Sequence, residues 1–487
     1  MGRFIRRFVK FSSLRMSTVL LFWSVGFCAF LYGYLSSEAR WFPHSILLDA
    51  RNALPVLRAK LNANRVPEEP TRTDFSVAEG ARRRVVVKEP GDDGSAFLMT
   101  GGVGQYLEYC PEYGCAAVIL RRDGSLVHAY PYRPDELTGK RSLELPYAEF
   151  MHDDAKDTTV FGLAPLPIGD LIVVYDFKHT TPNGGGIARM DKDGHVLWYR
   201  RDYSNHWPAI TDSNKILVIS HTIGSSQEPI SPNGKFSFDC PTGVLADVVR
   251  VLDENGSMNE EIPVFEALRN SKYWPYLHTS QDSAFMQREP CDPVHANSVR
   301  EVGVELAAKL ENLQPDDLIL SLRNISALAI IGRRDYEIKY LFKGTFLFQH
   351  SAQIVPGGTV ILFDNYGSSA SGGPSRVLGY DPVTKLEHIV FPNADTPSDV
   401  DTFSPIKGNI NVSKDGTRAL VAVTMTGRAY EIRLSDGKIL TSFDNLHDVS
   451  SFPVYENNPR IERYFPQHGI FYVYPELLSH FSGEGGS

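Results

Sequence analysis

The 487-residue chain lacks several things that would have pointed to common chemistries. It has five cysteines and no Cys-x-x-Cys or Cys/His spacing of a zinc site. GGVG at Gly101 has neither the lysine nor the helix of a phosphate-cradling loop. Beyond residues 17–35 there is no apolar run of membrane-spanning length, which excludes a channel or a multi-span transporter. Basic residues are scarce outside the N-terminus. Residues 1–40 carry Arg3, Arg6, Arg7, Lys10, Arg15 and Arg40 against Glu38, so the rest is more acidic than the net −9. Such a body offers no footprint for nucleic acid.

What is present begins with STVLLFWSVGFCAFLYGYL at 17–35, an uncharged run about long enough to cross ~30 Å of hydrocarbon as a helix. Five basic residues precede it, which predicts a cytoplasmic basic tail over 1–16 and places the main domain outside the cytoplasm, periplasmic in a bacterium. A cleaved signal peptide is the rival, but the run is long and Ser37–Ala39 is a poor cleavage site. Both readings export the body, so the chain reads as a single-pass membrane protein or a secreted one. Residues 36–95 read as stalk and linker, and 481–487 as a flexible tail. Cys110 with Cys115, and Cys240 with Cys291, suit disulfides in an oxidising compartment, and buried thiols account for them equally well.

From 96 to 480 the chain is a succession of short β-type runs separated by Gly, Asp, Asn and Pro. Two signals alternate. One is a turn followed by an apolar strand: PIGDLIVVYD, DSNKILVIS, PDDLILSLR, PGGTVILFDN and KDGTRALVAV. The other recurs six times: RRDGSLV, DKDGHVLWY, DENGSMN, RRDYEIKY, YDPVTKLEHI and LSDGKILTSF. Six four-stranded units fit the length, so the expected fold is all-β, a six-bladed propeller behind a single N-terminal transmembrane helix. A closing strand from RYFPQHGIFYVYP would pair near the first blade. A β-helix or two sandwiches explain the regular turn pairs less well.

A propeller gathers the starts of its innermost strands around one axis. His206 in SNHWPAI, His295 in CDPVHANSV and His350 in FLFQHSAQI each occupy a first strand. Arg323 ends the strand after His295, and Asn365 holds the equivalent place after His350. A lone histidine is usually structural, whereas three at one position of successive repeats are hard to obtain from packing. His221 lies close enough to His206 to take its role. An arginine beside three histidines argues for an oxyanion rather than a metal, and for sulfuryl or phosphoryl transfer. No metal and no cofactor are expected.

At these residues the sequence resembles the arylsulfate sulfotransferase family, six-bladed propellers of the bacterial periplasm. DPVHANSV with DDLILSLRNISALAIIG resembles the family's His-x-Asn-Ser segment and Ser-x-Arg strand. FLFQHSAQIVPGGTVILFDNYG resembles its Gln-His segment, and FSPIKGNINVS a later strand. The resemblance implies that His350 accepts the sulfuryl group, that His295 and Arg323 hold the sulfate oxygens, and that His206 moves a proton to or from the phenolic oxygen. Asn297 and Asn365 would contact substrate. It implies a ping-pong exchange between an aryl sulfate and a phenol, without a nucleotide sulfate donor. The apparent anchor, the missing N-terminal sandwich domain and the insertions near 260–288 and 304–313 depart from the family and leave substrate identity and homo-oligomerisation open.

The alternative is a membrane-tethered propeller used as a binding scaffold, its histidines lining a pore. A quinone-cofactor propeller would need repeated Trp motifs that five scattered tryptophans do not supply. A lactonase-type propeller would gather carboxylates around calcium, and the acids here sit in turns.

Overall fold

The computed structural model describes residues 16–39, 53–54, 56–61, 83–89, 93–101, 109–111, 113–139, 158–177, 185–232, 234, 236–282, 291–367, 374–445 and 467–481. It divides into two compact units, Met1–Asn62 and Ala63–Ser487. The first contains a 24-residue helix, α1 (Met16–Ala39). The membrane crossing expected of 17–35 is met only in part: the helix is there, but among the described residues none is long and apolar enough to cross a membrane. The basic tail before Met16, most of the stalk and the residues after Phe481 lie outside the described residues.

The second unit is all β. Its strands are β1 (Arg83–Val87), β2 (Ala96–Gly101), β3 (Cys115–Leu120), β4 (Leu126–Pro131), β5 (Thr158–Pro165), β6 (Leu171–Phe177), β7 (Gly186–Met190), β8 (Val196–Arg201), β9 (Asn205–Ile210), β10 (Ile216–Ile223), β11 (Leu245–Leu252) and β12 (Met258–Ile262). They continue as β13 (Ala296–Glu301), β14 (Leu318–Leu322), β15 (Ala327–Ile331), β16 (Ile338–Phe342), β17 (His350–Ile354), β18 (Val360–Asp364), β19 (Arg376–Tyr380), β20 (Glu387–Phe391), β21 (Asn409–Val412), β22 (Arg418–Val423), β23 (Arg428–Arg433), β24 (Ile439–Asn445) and β25 (Gln467–Val473). They form six antiparallel sheets: β25-β2-β3-β4, β5–β8, β9–β12, β13–β16, β17–β20, and β21–β24 with β1 added at its outer edge.

The six sheets are propeller blades. The first strands touch in cyclic order, β5 to β9, β13, β17, β21, β25 and back to β5. Ring closure explains why the second turn signal occurs six times but the first only five. The innermost strand of the first blade comes from the far end of the chain, where Phe97, Leu98 and Met99 of β2 face Tyr472, Phe471 and Ile470 of β25. The expected closing strand is therefore β25. The stretch read as stalk gives Arg83–Val87 to the last blade, where it pairs with Asn445–Thr441 of β24.

Each blade is apolar on both faces because it is packed on both sides, so its inner strands are continuous apolar runs rather than alternating ones. All eight residues of β11, LADVVRVL, are buried. One continuous cluster joins Leu217, Val249 and Val251 of one blade to Leu318, Leu320 and Ala329 of the next. Burial of each such side chain contributes roughly 1.5–3 kcal/mol. The last hairpin of every blade turns through a left-handed residue. Gly124, Gly194, Gly256 and Gly437 supply it in four blades, and Tyr336 and Lys385 adopt it in the others.

Two insertions extend the blade β9–β12. One joins β10 to β11. The other joins β12 to β13 and contains α2 (Val264–Asn270) and a 3-10 segment, Trp274–Asp282. The Cys240–Cys291 disulfide links them, and Cys110–Cys115 closes the small loop before β3. Both pairings considered from the sequence are thus disulfides.

Candidate active site

The site is built by a backbone device repeated around the ring. In most blades the first strand is bulged at its entry. The register slips at Phe161 in β5, past Asn205 in β9, at Asn297 in β13, past His350 in β17 and at His468 in β25. A bulge re-aims a side chain that the regular pleat would bury between strands. Two residues carry left-handed backbone for this, His206 with φ 59° and His295 with φ 52°, while Phe348 and Ser351 carry it around His350. Non-glycine residues in that region are strained and persist only where the surrounding structure holds them.

The three predicted histidines meet. The ring of His206 lies 5.0 Å from that of His295 and 6.2 Å from that of His350, centroid to centroid. All three are buried. Each has its Nδ1 engaged by an acceptor, which directs the Nε2 lone pair of His206 and His350 away from that acceptor. His350 Nδ1 donates to Asn365 Oδ1 at 2.7 Å and to the Phe348 carbonyl at 3.0 Å. Asn365 is oriented in turn, because its Nδ2 donates to the carbonyls of Ser404 at 2.7 Å and Lys407 at 2.5 Å. His206 Nδ1 donates to Asn205 Oδ1 at 2.6 Å, and Asn205 Nδ2 donates to the Tyr203 carbonyl at 3.1 Å. His295 Nδ1 donates to Asp292.

Arg323 is also in place. It is 1 % exposed, and its guanidinium carbon lies 4.5 Å from the centre of the Phe348 ring, two residues before His350. Nη1 donates to Asn324 Oδ1 at 3.0 Å, and Asn324 Nδ2 donates to the Asp292 carbonyl at 2.6 Å. The backbone N–H of Arg323 donates to the His295 carbonyl at 3.1 Å, which joins the strand end carrying Arg323 to the strand start carrying His295.

Electrostatics keep the His206 and His350 rings neutral. Burial first, and then the Arg323 charge, bring His350 down to about 3. Burial, then His295, His350, Arg323 and Lys407, hold His206 well below its ordinary value. Both are neutral imidazoles at neutral pH, each with its hydrogen on Nδ1 and a lone pair on Nε2. Asp292 shows opposing effects: burial raises its carboxyl, and His295, His221 and Arg323 outweigh burial and keep it below the usual range. Its neighbour Asp247, whose carboxylate accepts from Ala296 N at 2.8 Å, is pushed far up by burial and by the Asp292 charge.

The two asparagines expected to contact substrate do something else. Asn365 spends its side chain on His350, Ser404 and Lys407, so it orients the His350 ring. Asn297 is fully buried and donates from Nδ2 to the Gln349 carbonyl at 2.7 Å, which braces the residue before His350. Its Oδ1 is buried with no hydrogen-bond partner among the described residues. His221 does not replace His206. It lies behind it, with Nδ1 accepting from Asn205 Nδ2 at 3.3 Å, and burial brings it to about 4.

Sequence reasoning missed three members of the ring. A small cavity is lined by Phe161, His206, Trp207, His350, Lys407, Gly408 and His468. Phe161 lies at the bulge of β5, His468 at that of β25, and Lys407 two residues before β21. Every blade therefore contributes one side chain at the same station: Phe161, His206, His295, His350, Lys407 and His468. The Phe161 ring lies 5.2 Å from the His206 ring and 5.0 Å from Lys407 Nζ. His468 Nδ1 donates to the Val160 carbonyl at 3.2 Å. Asp292 and Asn205, which fix two of the rings, were also unrecognised, although Asp292 stands in the same CDPVHANSV segment as His295. The register that identified His206, His295 and His350 would have found His468 and Lys407 if extended to the closing strand and to the blade before it.

The arrangement suits an oxyanion rather than a cation. Among the described residues no group of three or more His, Cys, Asp or Glu is placed to hold a metal ion. Arginine supplies a planar fork of donors to a tetrahedral anion, and a neutral imidazole with a free Nε2 beside it is a nucleophile.

Comparison with known proteins agrees with the sequence resemblance. No protein of curated function matches the chain. Among solved structures, one of a protein of unknown function from Bacteroides caccae is similar at 11 % identity and a TM-score of 0.44, over 78 % of this chain and 99 % of that one. TolB from Acinetobacter baumannii aligns at 12 % identity and a TM-score of 0.39, over 79 % and 68 %. A virginiamycin B lyase from Staphylococcus aureus aligns at 9 % identity and a TM-score of 0.32, over 58 % and 69 %. The sequence profile of the arylsulfotransferase (ASST) family matches residues 169–445, which is more than half of the chain and contains His206, His295, Arg323 and His350. The chain belongs to the arylsulfotransferase family.

Proposed function

We propose that the protein transfers a sulfuryl group from an aryl sulfate to a phenolic acceptor through a covalent sulfohistidine at His350. The observation that carries this reading is the fixed tautomer of His350. Asn365 Oδ1 and the Phe348 carbonyl can only accept, so the ring hydrogen stays on Nδ1 and the lone pair stays on Nε2. Burial keeps the ring neutral, so this form is the working form at neutral pH.

The donor sulfate enters with its oxygens on Arg323 and His295. His295 is oriented for this by its Nδ1 bond to Asp292. In-line attack by His350 Nε2 on sulfur expels the aryl oxide, and the positive charge that grows on the ring is shared through Nδ1–H with two oxygen acceptors. Preorganised donors at the developing charge are the largest catalytic contribution of such sites. The product phenol leaves and an acceptor phenol takes its place, its oxygen attacking sulfur and returning the electron pair to Nε2. The sequence left two roles open for His206. A neutral ring with its hydrogen on Nδ1 cannot give up a proton towards Nε2, so His206 fits as a hydrogen-bond acceptor that orients the phenol hydroxyl and not as the acid. No cofactor takes part in this scheme.

A chromogenic aryl sulfate mixed with phenol tests the reading. Coloured phenol released in a phenol-dependent manner, with the rate lost in His350→Ala, supports it. Release that persists in folded His350→Ala removes it.

The same reading puts the catalytic unit outside the cytoplasm. The uncharged run 17–35 with basic residues before it supports this, as do two disulfides in the catalytic unit, which suit an oxidising compartment. Protease added to intact cells or spheroplasts should cleave the propeller; protection of the propeller would contradict the placement.

A further inference from the structure

The scheme leaves the departing aryl oxide without a proton. Among the residues lining the cavity, His206, His350 and His468 cannot provide one. Each has its hydrogen on Nδ1 turned away to a fixed acceptor, and burial, with neighbouring positive charge, holds each ring well below its ordinary value. Lys407 lines the same cavity, and a lysine side chain can hold a transferable proton.

We propose that Lys407 is the catalytic acid and base for the phenolic oxygen. Three observations place it. It holds, in the sixth blade, the station that His206, His295 and His350 hold in theirs. Its charge acts on both His206 and His468, which line the same cavity. Its backbone carbonyl accepts from Asn365 Nδ2 at 2.5 Å, the amide that fixes His350, so the nucleophile and the lysine are positioned through one side chain. Lys407 has left-handed backbone, φ 63°, and is followed by Gly408. A Cβ on Gly408 would come within 2.4 Å of the Phe363 ring, so the chain turns tightly here to bring the lysine inward.

The chemistry also matches. An unperturbed lysine and a phenol titrate within about half a unit of each other, near 10.4 and 10. A proton transfers most effectively between groups so matched. In the first half-reaction the sulfur–aryl oxygen bond breaks as the sulfur–Nε2 bond forms. The aryl oxygen keeps the electron pair and takes a proton from the Lys407 ammonium, leaving the amine. In the second, the acceptor phenol returns its proton to that amine, its oxygen bonds to sulfur, and the sulfur–nitrogen electron pair goes back to His350. Lysine and histidine both end as they began.

This inference rests on the transferase reading, and the test separates the two. Full-length wild-type protein, Lys407→Met and Lys407→Arg are compared on 4-nitrophenyl sulfate, whose aryl oxide leaves readily, and on phenyl sulfate, whose aryl oxide needs a proton. Thermal melts establish that each is folded. In Lys407→Met the ratio of the first rate to the second is expected to rise by about 10²-fold, and Lys407→Arg, which keeps the charge but cannot lose the proton, is expected to match it. An unchanged ratio in Lys407→Met, or a ratio restored to the wild-type value in Lys407→Arg, overturns the proposal while leaving the transferase intact. Absence of turnover by folded wild type on both donors overturns the transferase reading and this one with it.

Discussion

Asn365 and His350 form a pair in which the amide decides the chemistry of the ring. Asn365 Oδ1 takes the Nδ1 hydrogen at 2.7 Å, and the Asn365 Nδ2 hydrogens are held by the carbonyls of Ser404 and Lys407, so the amide cannot turn over without losing both. The free lone pair of His350 is thus determined fifteen residues away, at the end of the neighbouring strand.

Substitution of that amide should therefore act on turnover. Asn365→Ala leaves Nδ1 with the Phe348 carbonyl alone at 3.0 Å. A fall in kcat on the order of 10²-fold is expected, with KM for the donor little changed. Steady-state kinetics check this, and a change confined to KM would assign Asn365 to substrate binding instead.

Arg323 should not tolerate lysine. Its guanidinium is buried, stacked 4.5 Å from the Phe348 ring centre, and bonded to Asn324. A lysine ammonium reproduces neither the fork nor the stack. Both Arg323→Lys and Arg323→Ala are expected to lose about 10²–10³-fold in kcat/KM for an aryl sulfate. A lysine variant within a few-fold of wild type would show that charge alone is used.

Acid should weaken the fold through the central rings. His350 and His221 are held at about 3 and about 4 by burial, below the ordinary 6.5 that they regain on unfolding. Their folded values are depressed, so the unfolded chain binds more protons below pH 6.5. Stability is complete above that pH and is lost as pH falls from 6.5 towards 4, by about 1.4 kcal/mol per pH unit for each ring. Denaturant midpoints measured from pH 7.5 to 4.5 should fall, and His350→Gln should reduce the slope. Over the same range the nucleophile stays neutral, so His350 itself imposes no acid limb near pH 6.5 on kcat/KM.

The Cys240–Cys291 disulfide should matter to both stability and rate. It spans 51 residues, which in the chain-entropy account corresponds to about 4 kcal/mol. Cys291 also precedes Asp292, the partner of His295. The Cys240→Ser/Cys291→Ser variant is expected to melt at lower temperature and, where still folded, to lose turnover on the donor. Retention of full turnover in the folded variant would separate the disulfide from the positioning of Asp292.

The fold was largely legible, because hairpin turns are local. The six Asp-x-x-Gly-like signals fall on the last hairpin of each of the six blades, and the five other signals on the first hairpins of the five blades not closed from afar. His206, His295 and His350 were legible because repeats place equivalent residues at equivalent distances from their turns. Lys407 and Phe161 were not, because they share a station without sharing a residue type, and His468 was not, because its strand joins the ring only by long-range closure. Pairing of β25 with β2, about 370 residues apart, is what brings His468 to the others. The bonds by which Asn297 and Asn365 brace Gln349 and His350 were not legible for a related reason: sequence does not show which neighbouring strand a polar side chain faces.

The most direct test of the account is mass spectrometry of the full-length protein, rapidly quenched after mixing with an aryl sulfate in the absence of acceptor. A single sulfuryl adduct on the peptide containing His350, discharged on addition of phenol and missing in His350→Ala, is the predicted result. Phenol release by wild-type protein with no adduct, or with an adduct on another residue that survives in His350→Ala, would contradict the assignment of His350 as the nucleophile.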